Sequence, residues 1–356
     1  MPLKKLLFKP GINREVTRYT NEGGWYECDK VRFRQGFPEK IGGWQRISST
    51  TFLGVCRSLW NWVTLGSINL IGVGTNLKFY LEEGGAYNDI TPIRVTTSAG
   101  DVTFAATNGS ATLTVTDTGH GARVNNFVTF SGAASLGGNI TAAVLNQEYQ
   151  IVSVPTANTY TITATATANA SDTGNGGSSV VGAYQIHTGE AYAIPQVGWG
   201  AGTWGAGTWG TGGSSADPIR LWSQSNFGED LVFGPRGGDI FYWDATNGVS
   251  TRGVYLNTLS GASDVPTKQN VIVVSDTSRF VFCFGANNIG TSTFDPMLVR
   301  WSDQEDPANW TPASTNQAGS LRLSRGTEII AAKQARQEVL VWTDSSLYSL
   351  QYQGAP

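Results

Sequence analysis

A chain of 356 residues is long enough for more than one packed core, and its 24 Lys plus Arg against 27 Asp plus Glu leave a formal charge of -3. That balance argues against a protein that wraps nucleic acid by neutralising phosphates, although weak, transient contact with DNA stays allowed. Charged residues make up 14% of the chain, while Gly reaches 44 and Trp 12; average soluble proteins carry roughly 25% charge, so the profile favours a turn-rich β protein over a helical one.

In chain order, the opening MPLKKLLFKPGINREV has only LLF between Lys5 and Lys9, too short for the apolar core of a secretory leader. No run approaches the ~18 apolar residues of a membrane span, so assembly in a cytoplasm without a membrane anchor is expected. Residues 1–47 read as an extended arm ending in a hairpin, with VRFR as a strand between the turn signals of NEGGWYECDKVRFRQGFPEKIGGW. In SINLIGVGTNLKFYLEE (67–83), GEDLVFGPRGGDIFYWDA (228–245) and QEVLVWTDSSLYSLQY (337–352), a short aliphatic strand meets a tight turn and then an aromatic strand. A fourth copy, SRFVFCFGANNIGTSTFDPMLVRWSD (278–303), has a longer loop. Hairpins repeated this way, led by further apolar strands such as SLWNW and IRLWS, predict four-stranded β-propeller blades of roughly 40 to 50 residues.

The propeller runs over 48–94 and 219–356 and is interrupted. From 95 to 185 the composition shifts to alternating Thr, Ala, Val and Ser, as in ATLTVTDT and YTITATATA, and tryptophan vanishes. That pattern predicts an inserted small β-sandwich or barrel domain with one buried face. GHGARVNNFVTFSGA followed by LNQEYQIVSVPTANTYTITA resembles a small all-β module of phage virion proteins, with Gln147 where that pattern has glycine. Residues 186–218 form the return to the blades and contain WGAGTWGAGTWG (199–210). A period of five matches neither strand nor helix, so this is read as a loop whose three indoles press on another surface. The only helical periodicity lies in TEIIAAKQARQ (327–337). The fold class expected is thus all-β: propeller-like blades, an inserted β domain and an extended N-terminal arm.

Chemistry-bearing patterns are sparse. His120 and His187 are the only histidines, and Cys28, Cys56 and Cys283 are odd in number and far apart. Neither a multi-His metal site nor a disulfide framework is supported, and buried free thiols are expected. The GHG string gives His120 a turn role. Paired carboxylates suited to glycan cleavage were sought in Glu82 with Glu83, Asp239 with Asp244, and Asp303, Glu305 and Asp306; each sits in or beside a turn, where solvated carboxylates are ordinary. No phosphate loop and no G-x-S-x-G elbow occurs. No catalytic, cofactor or metal site is expected. Instead Trp25, Tyr26, Arg32, Arg34, Phe37, Trp44, Trp222, Trp243, Arg300, Trp301 and Trp310 cluster at strand ends, either as packing between blades or as interface anchors.

FKPGINREVTRYTNEGGWYECDKVRFRQGFPEKIGGWQ, WGAGTWGAGTWG and DPMLVRWSDQEDPANWTP together resemble the tail nozzle, or tail tubular protein B-like, family of short-tailed bacteriophages. The resemblance covers the arm and the blades but not 95–185. It implies a virion structural protein without enzymatic activity or cofactor: a homo-hexameric ring under a tail adaptor protein, near tail fibres, that seals and conducts DNA during ejection. Family nozzles tend to be longer. Four or five blades fit here, so either further residues exist or this is a compact variant. The candidate subunit or adaptor interface comprises Arg14, Arg18, Trp25, Arg32 and Arg34 of the arm and Trp199, Trp204 and Trp209 of the loop, the last three packing either within the chain or on the next subunit. Two other classes remain: a receptor- or glycan-binding tail propeller, and a tail-associated glycan hydrolase.

Overall fold

The computed structural model describes residues 8–43, 45, 48–189 and 219–354. The chain divides into two compact units, Met1–Ser49 and Thr50–Pro356. In the first, strands β1 (Val31–Arg34) and β2 (Phe37–Lys40) form an antiparallel hairpin. Its two-residue turn has Gln35 at φ +51° and Gly36 at φ +86°. Positive φ at both central positions is what a tight hairpin needs to match strand twist, and glycine supplies the second without strain.

The second unit begins with a four-stranded antiparallel sheet of β3 (Cys56–Val63), β4 (Asn69–Thr75), β5 (Phe79–Glu83) and β6 (Ala86–Asp89) in sequential order. The chain then builds an eight-stranded sheet from β7 (Ile93–Thr96), β8 (Thr103–Ala106), β9 (Thr112–Thr116), β10 (Phe127–Ser131), β11 (Glu148–Thr156), β12 (Thr159–Thr163), β13 (Asp172–Asn175) and β14 (Val181–Gln185). Its order is β13-β8-β9-β12-β11-β10-β14-β7, so the first strand returns beside the last. Strict alternation sets its inner face: Leu113 and Val115 are fully buried between exposed threonines of β9, and Tyr160 and Ile162 are fully buried between less buried threonines of β12. These residues join Phe104, Phe130, Ile151 and Tyr184 in one apolar core.

Three further sheets complete the unit. The second blade is β15 (Trp222–Phe227), β16 (Asp230–Pro235), β17 (Phe241–Trp243) and β18 (Val254–Tyr255). The third is β19 (Gln269–Val274), β20 (Val281–Asn287), β21 (Phe294–Trp301) and β22 (Gly319–Arg322). The fourth is β23 (Ile329–Gln334), β24 (Val339–Thr343) and β25 (Leu347–Leu350). The four sheets are arranged as propeller blades: β3, β15, β19 and β23 are the inner strands, β15 packs on β3 and β19, and β19 packs on β23. All four inner strands line one axial cavity of about 440 Å³, with Ser58, Ser223, Val273 and Lys333 on its wall.

The expected helix over 327–337 is a strand. Ala332 to Gln334 of β23 pair with Val341 to Val339 of β24. Pairing with a neighbouring apolar strand outweighs the helix preference of an alanine-rich run, which is worth only tenths of a kcal/mol per residue. A bulge between Ile329 and Ala331 shifts the register, and Ile329 is buried while its neighbour Ile330, on the opposite face, is exposed. The expectation of buried thiols holds for Cys283 alone; Cys28 and Cys56 are half-buried, and all three are free.

Tryptophans pin the blades to one another. Trp222 Nε1 on the second blade donates to the Thr75 carbonyl on the first at 2.7 Å, and Trp62 Nε1 on the first donates to the Glu229 carbonyl at 2.9 Å. Trp222 lies so close over Gly74 that a Cβ there would sit 2.4 Å from its indole. Phe79 fills the same junction, 4.8 Å from Trp222 and 4.3 Å from Phe233. Between the second and third blades, Ser223 Oγ accepts from Ile272 N at 2.7 Å and donates to Ile272 O at 3.0 Å.

Candidate interaction surfaces

Within the first unit, Arg14 and Arg18 converge on Glu27, at 3.5 and 3.3 Å, and both guanidinium groups lie over the Tyr26 ring, 5.7 and 5.1 Å from its centre. The three charged side chains are more than half exposed, so they contribute little to stability and remain open to solvent. Arg32 pairs across the hairpin with Glu39 at 3.0 Å, in the register that places them opposite each other. Arg34 is exposed on the same hairpin. Trp25 is different: its ring sits 5.8 Å from Phe8 and 6.1 Å from Phe33, forming a small aromatic core of the arm itself. Trp199, Trp204 and Trp209 lie outside the described residues.

The second unit exposes apolar side chains on its first and fourth blades. On β3, Trp60 and Trp62 turn inward, whereas Leu59 and Val63 on the opposite face are 66% and 56% exposed. On the fourth blade, Val339 and Val341 are buried, whereas Trp342 and Leu347 are 38% and 57% exposed. Among the described residues β25 pairs only with β24, leaving its outer edge without a ladder partner.

A charged cluster that the sequence did not reveal joins the inserted sheet to the propeller. Lys78 on the first blade is 4% exposed and meets Asp89 Oδ2 at 2.7 Å and Glu148 of β11. Arg252, from the second blade, reaches the same two carboxylates at 3.2 and 3.3 Å. Gln185 Nε2 donates to Glu148 Oε2 at 2.6 Å. Burial alone would raise the pKa of Asp89, but Arg252 and Lys78, with hydrogen bonds from Lys78 and Thr91, pull it below the usual carboxylate value. Two cations and two anions thus balance in a largely dry junction.

The histidines have structural surroundings. His120 lies between Gly119 and Gly121, at φ +67° and +58°, and its Nδ1 accepts from Ala122 N at 3.0 Å. His187 Nδ1 lies 3.0 Å from Asn126 Nδ2. Burial, then the charges of Arg123, Arg220 and Arg94, lower the His187 pKa to about 4. Between about pH 6.5 and pH 4 the unfolded chain therefore takes up a proton that the folded chain does not, and stability falls as pH drops through that window. His187→Gln is expected to remove about 2 kcal/mol of that acid-side loss after allowance for solvent screening, read as the difference in urea unfolding between about pH 7 and pH 4.5.

The candidate carboxylates serve turns. Glu82 Oε1 accepts from Gly85 N at 2.6 Å, and Asp244 Oδ1 caps a short 3-10 turn by accepting from Thr246 N at 2.8 Å. Asp303 Oδ1 accepts from Gln304 N and Gln317 N, at 2.8 and 2.9 Å, and Asp306 Oδ1 from Ala308 N at 2.9 Å. Asp239 has a raised pKa, through burial, with Arg220 and Lys268 opposing the rise. Among the described residues no group of His, Cys, Asp and Glu is placed to hold a metal ion.

A groove of about 370 Å³ opens between the third and fourth blades, walled by aromatic rings and neutral amides. Trp301 and Tyr352 are both fastened to Gln317: Trp301 Nε1 donates to its carbonyl at 2.7 Å and Tyr352 Oη donates to its Oε1 at 2.7 Å.

No family model matches the chain, and no curated protein matches it. Among solved structures, the phage phi92 endosialidase is 13% identical over 81% of this chain and 39% of that one, with a TM-score of 0.22. BamB from Moraxella catarrhalis is 13% identical over 84% of this chain and 86% of that one, with a TM-score of 0.21. The chain therefore spans 39% of the endosialidase's length, and neither likeness is strong enough to carry an activity across. Four propeller-like blades interrupted by one inserted β sheet are what the strand order itself establishes.

Proposed function

We propose that this chain is a structural component of the tail of a short-tailed bacteriophage, a nozzle protein that assembles with copies of itself into a hexameric ring and conducts DNA during ejection. The observation that carries this reading is the exposed apolar side chains of two blades, Leu59 with Val63 and Trp342 with Leu347, together with the edge of β25 that has no ladder partner among the described residues. A lone soluble protein seldom leaves sheet edges and apolar faces open, because both invite association. Apolar surface on two different blades of one subunit suits head-to-tail contacts, which close into rings. In this reading Arg14, Arg18, Arg32 and Arg34 meet an adaptor ring or a neighbouring copy, and the protein works by surface burial rather than by making or breaking bonds. The hydrogen bonds that tie Glu82, Asp244, Asp303 and Asp306 to turns support the non-enzymatic part.

The test is the mass of the purified full chain by light scattering, beside Trp342→Arg and Leu59→Arg. Each arginine places a charge on one exposed face and leaves the blade's buried face unchanged. The wild type is expected to form hexamers and both variants to fall to smaller species. A wild type that stays monomeric at every concentration, or variants that assemble unchanged, would overturn the reading.

A further inference from the structure

The groove between the third and fourth blades falls within the size range of small-ligand sites, roughly 300–1,000 Å³, at about 370 Å³. Phe280, Phe282, Val339 and Leu350 give it an apolar lining to which Trp301 and Tyr352 add their rings. Because both rings are hydrogen-bonded to Gln317, their positions are set before any ligand arrives. The polar lining is neutral except for one carboxylate, Glu338; no Lys, Arg or His is among the described residues that line the groove. Asn316, Gln317 and Gln351 supply the neutral amides of that lining, and the Gln351 side chain donates to Glu338 Oε2 at 3.2 Å.

These features select among ligands. A hydrocarbon would cover the rings and strand the amides. An anion would meet Glu338 and no cation. A molecule with an apolar face and several neutral hydroxyl donors satisfies both walls at once. We propose that the groove binds a short neutral saccharide, its ring C–H face against Trp301 and Tyr352 and its hydroxyls hydrogen-bonding to the Glu338 carboxylate and the neutral amides beside it. This site is separate from the exposed blade faces and does not depend on ring assembly.

Saturation-transfer NMR on the full chain tests it, with maltotriose and N,N′-diacetylchitobiose as neutral probes and 3′-sialyllactose as the charged one. Transfer to at least one neutral saccharide and none to the sialylated one is expected. Tyr352→Ala, at a ring already 47% exposed, and Glu338→Ala are each expected to weaken binding about tenfold, a loss of about 1.4 kcal/mol. Urea unfolding of both variants confirms that they are folded. No transfer to either neutral probe, equal transfer to the charged probe, or unchanged binding in both folded variants would overturn the proposal.

Discussion

Replacing Trp222 by alanine is expected to lower the unfolding free energy by about 4 kcal/mol, near the upper end for loss of a large buried aromatic. The side chain is 5% exposed at the junction of the first two blades. It contributes in two separable ways: its ring packs against Phe79 and over Gly74, and its Nε1 supplies a donor to the Thr75 carbonyl. Trp222→Phe keeps most of the apolar volume and deletes the donor, so about 1–2 kcal/mol is expected from that variant. Urea titration of both variants checks the ordering. A loss under about 1 kcal/mol for Trp222→Ala would mean that the first two blades are not held together at this junction.

The second large effect is at Lys78. Lys78→Met keeps an apolar stem of similar length but removes a buried cation, leaving Asp89 and Glu148 to share Arg252. Removing one member of a buried ion cluster typically costs about 3–5 kcal/mol, because an uncompensated charge stays behind. The lower end, about 3 kcal/mol, is expected here, since the carboxylate side chains retain 20% and 30% exposure. Adding Glu148→Gln to Lys78→Met should restore part of the loss, and the double-mutant cycle in urea unfolding reads that recovery. The sign of the pH effect follows from Asp89: its folded-state pKa lies below the unfolded one, so its contribution is present above about pH 4 and is lost as pH falls through the lower folded value. A Lys78→Met variant as stable as wild type would show that the inserted sheet is held to the propeller by other contacts.

Blade hairpins were legible because each carries its own local signal: period-two alternation, a turn and an aromatic return strand. The inserted sheet was legible for the same reason, with threonines alternating with Leu113, Val115, Tyr160 and Ile162. The strand at Ile329–Gln334 was not, because Ala331, Ala332 and Gln334 have helical preferences and only pairing with Val339–Thr343 decides the outcome. Partners were least legible of all. Trp222 and Thr75 lie 147 residues apart, and Arg252 and Glu148 lie 104 apart. Nothing local to Lys78 says that two distant carboxylates will gather round it. A lysine just ahead of the apolar FYL strand was the available hint. The adjacent glycines of IGVGT carried a clearer one, since Gly72 and Gly74 have room for no side chain beneath Gln224 and Trp222. Of the strand-end tryptophans, Trp222, Trp243 and Trp310 are buried packing.

We propose that copies of this chain bury the exposed apolar side chains of their first and fourth blades against one another in a ring. Electron microscopy of the purified full chain, with particles averaged without imposed symmetry, tests it most directly. Six-fold rings with an open centre are expected. Isolated single propellers, or assemblies without a rotational axis, would contradict it.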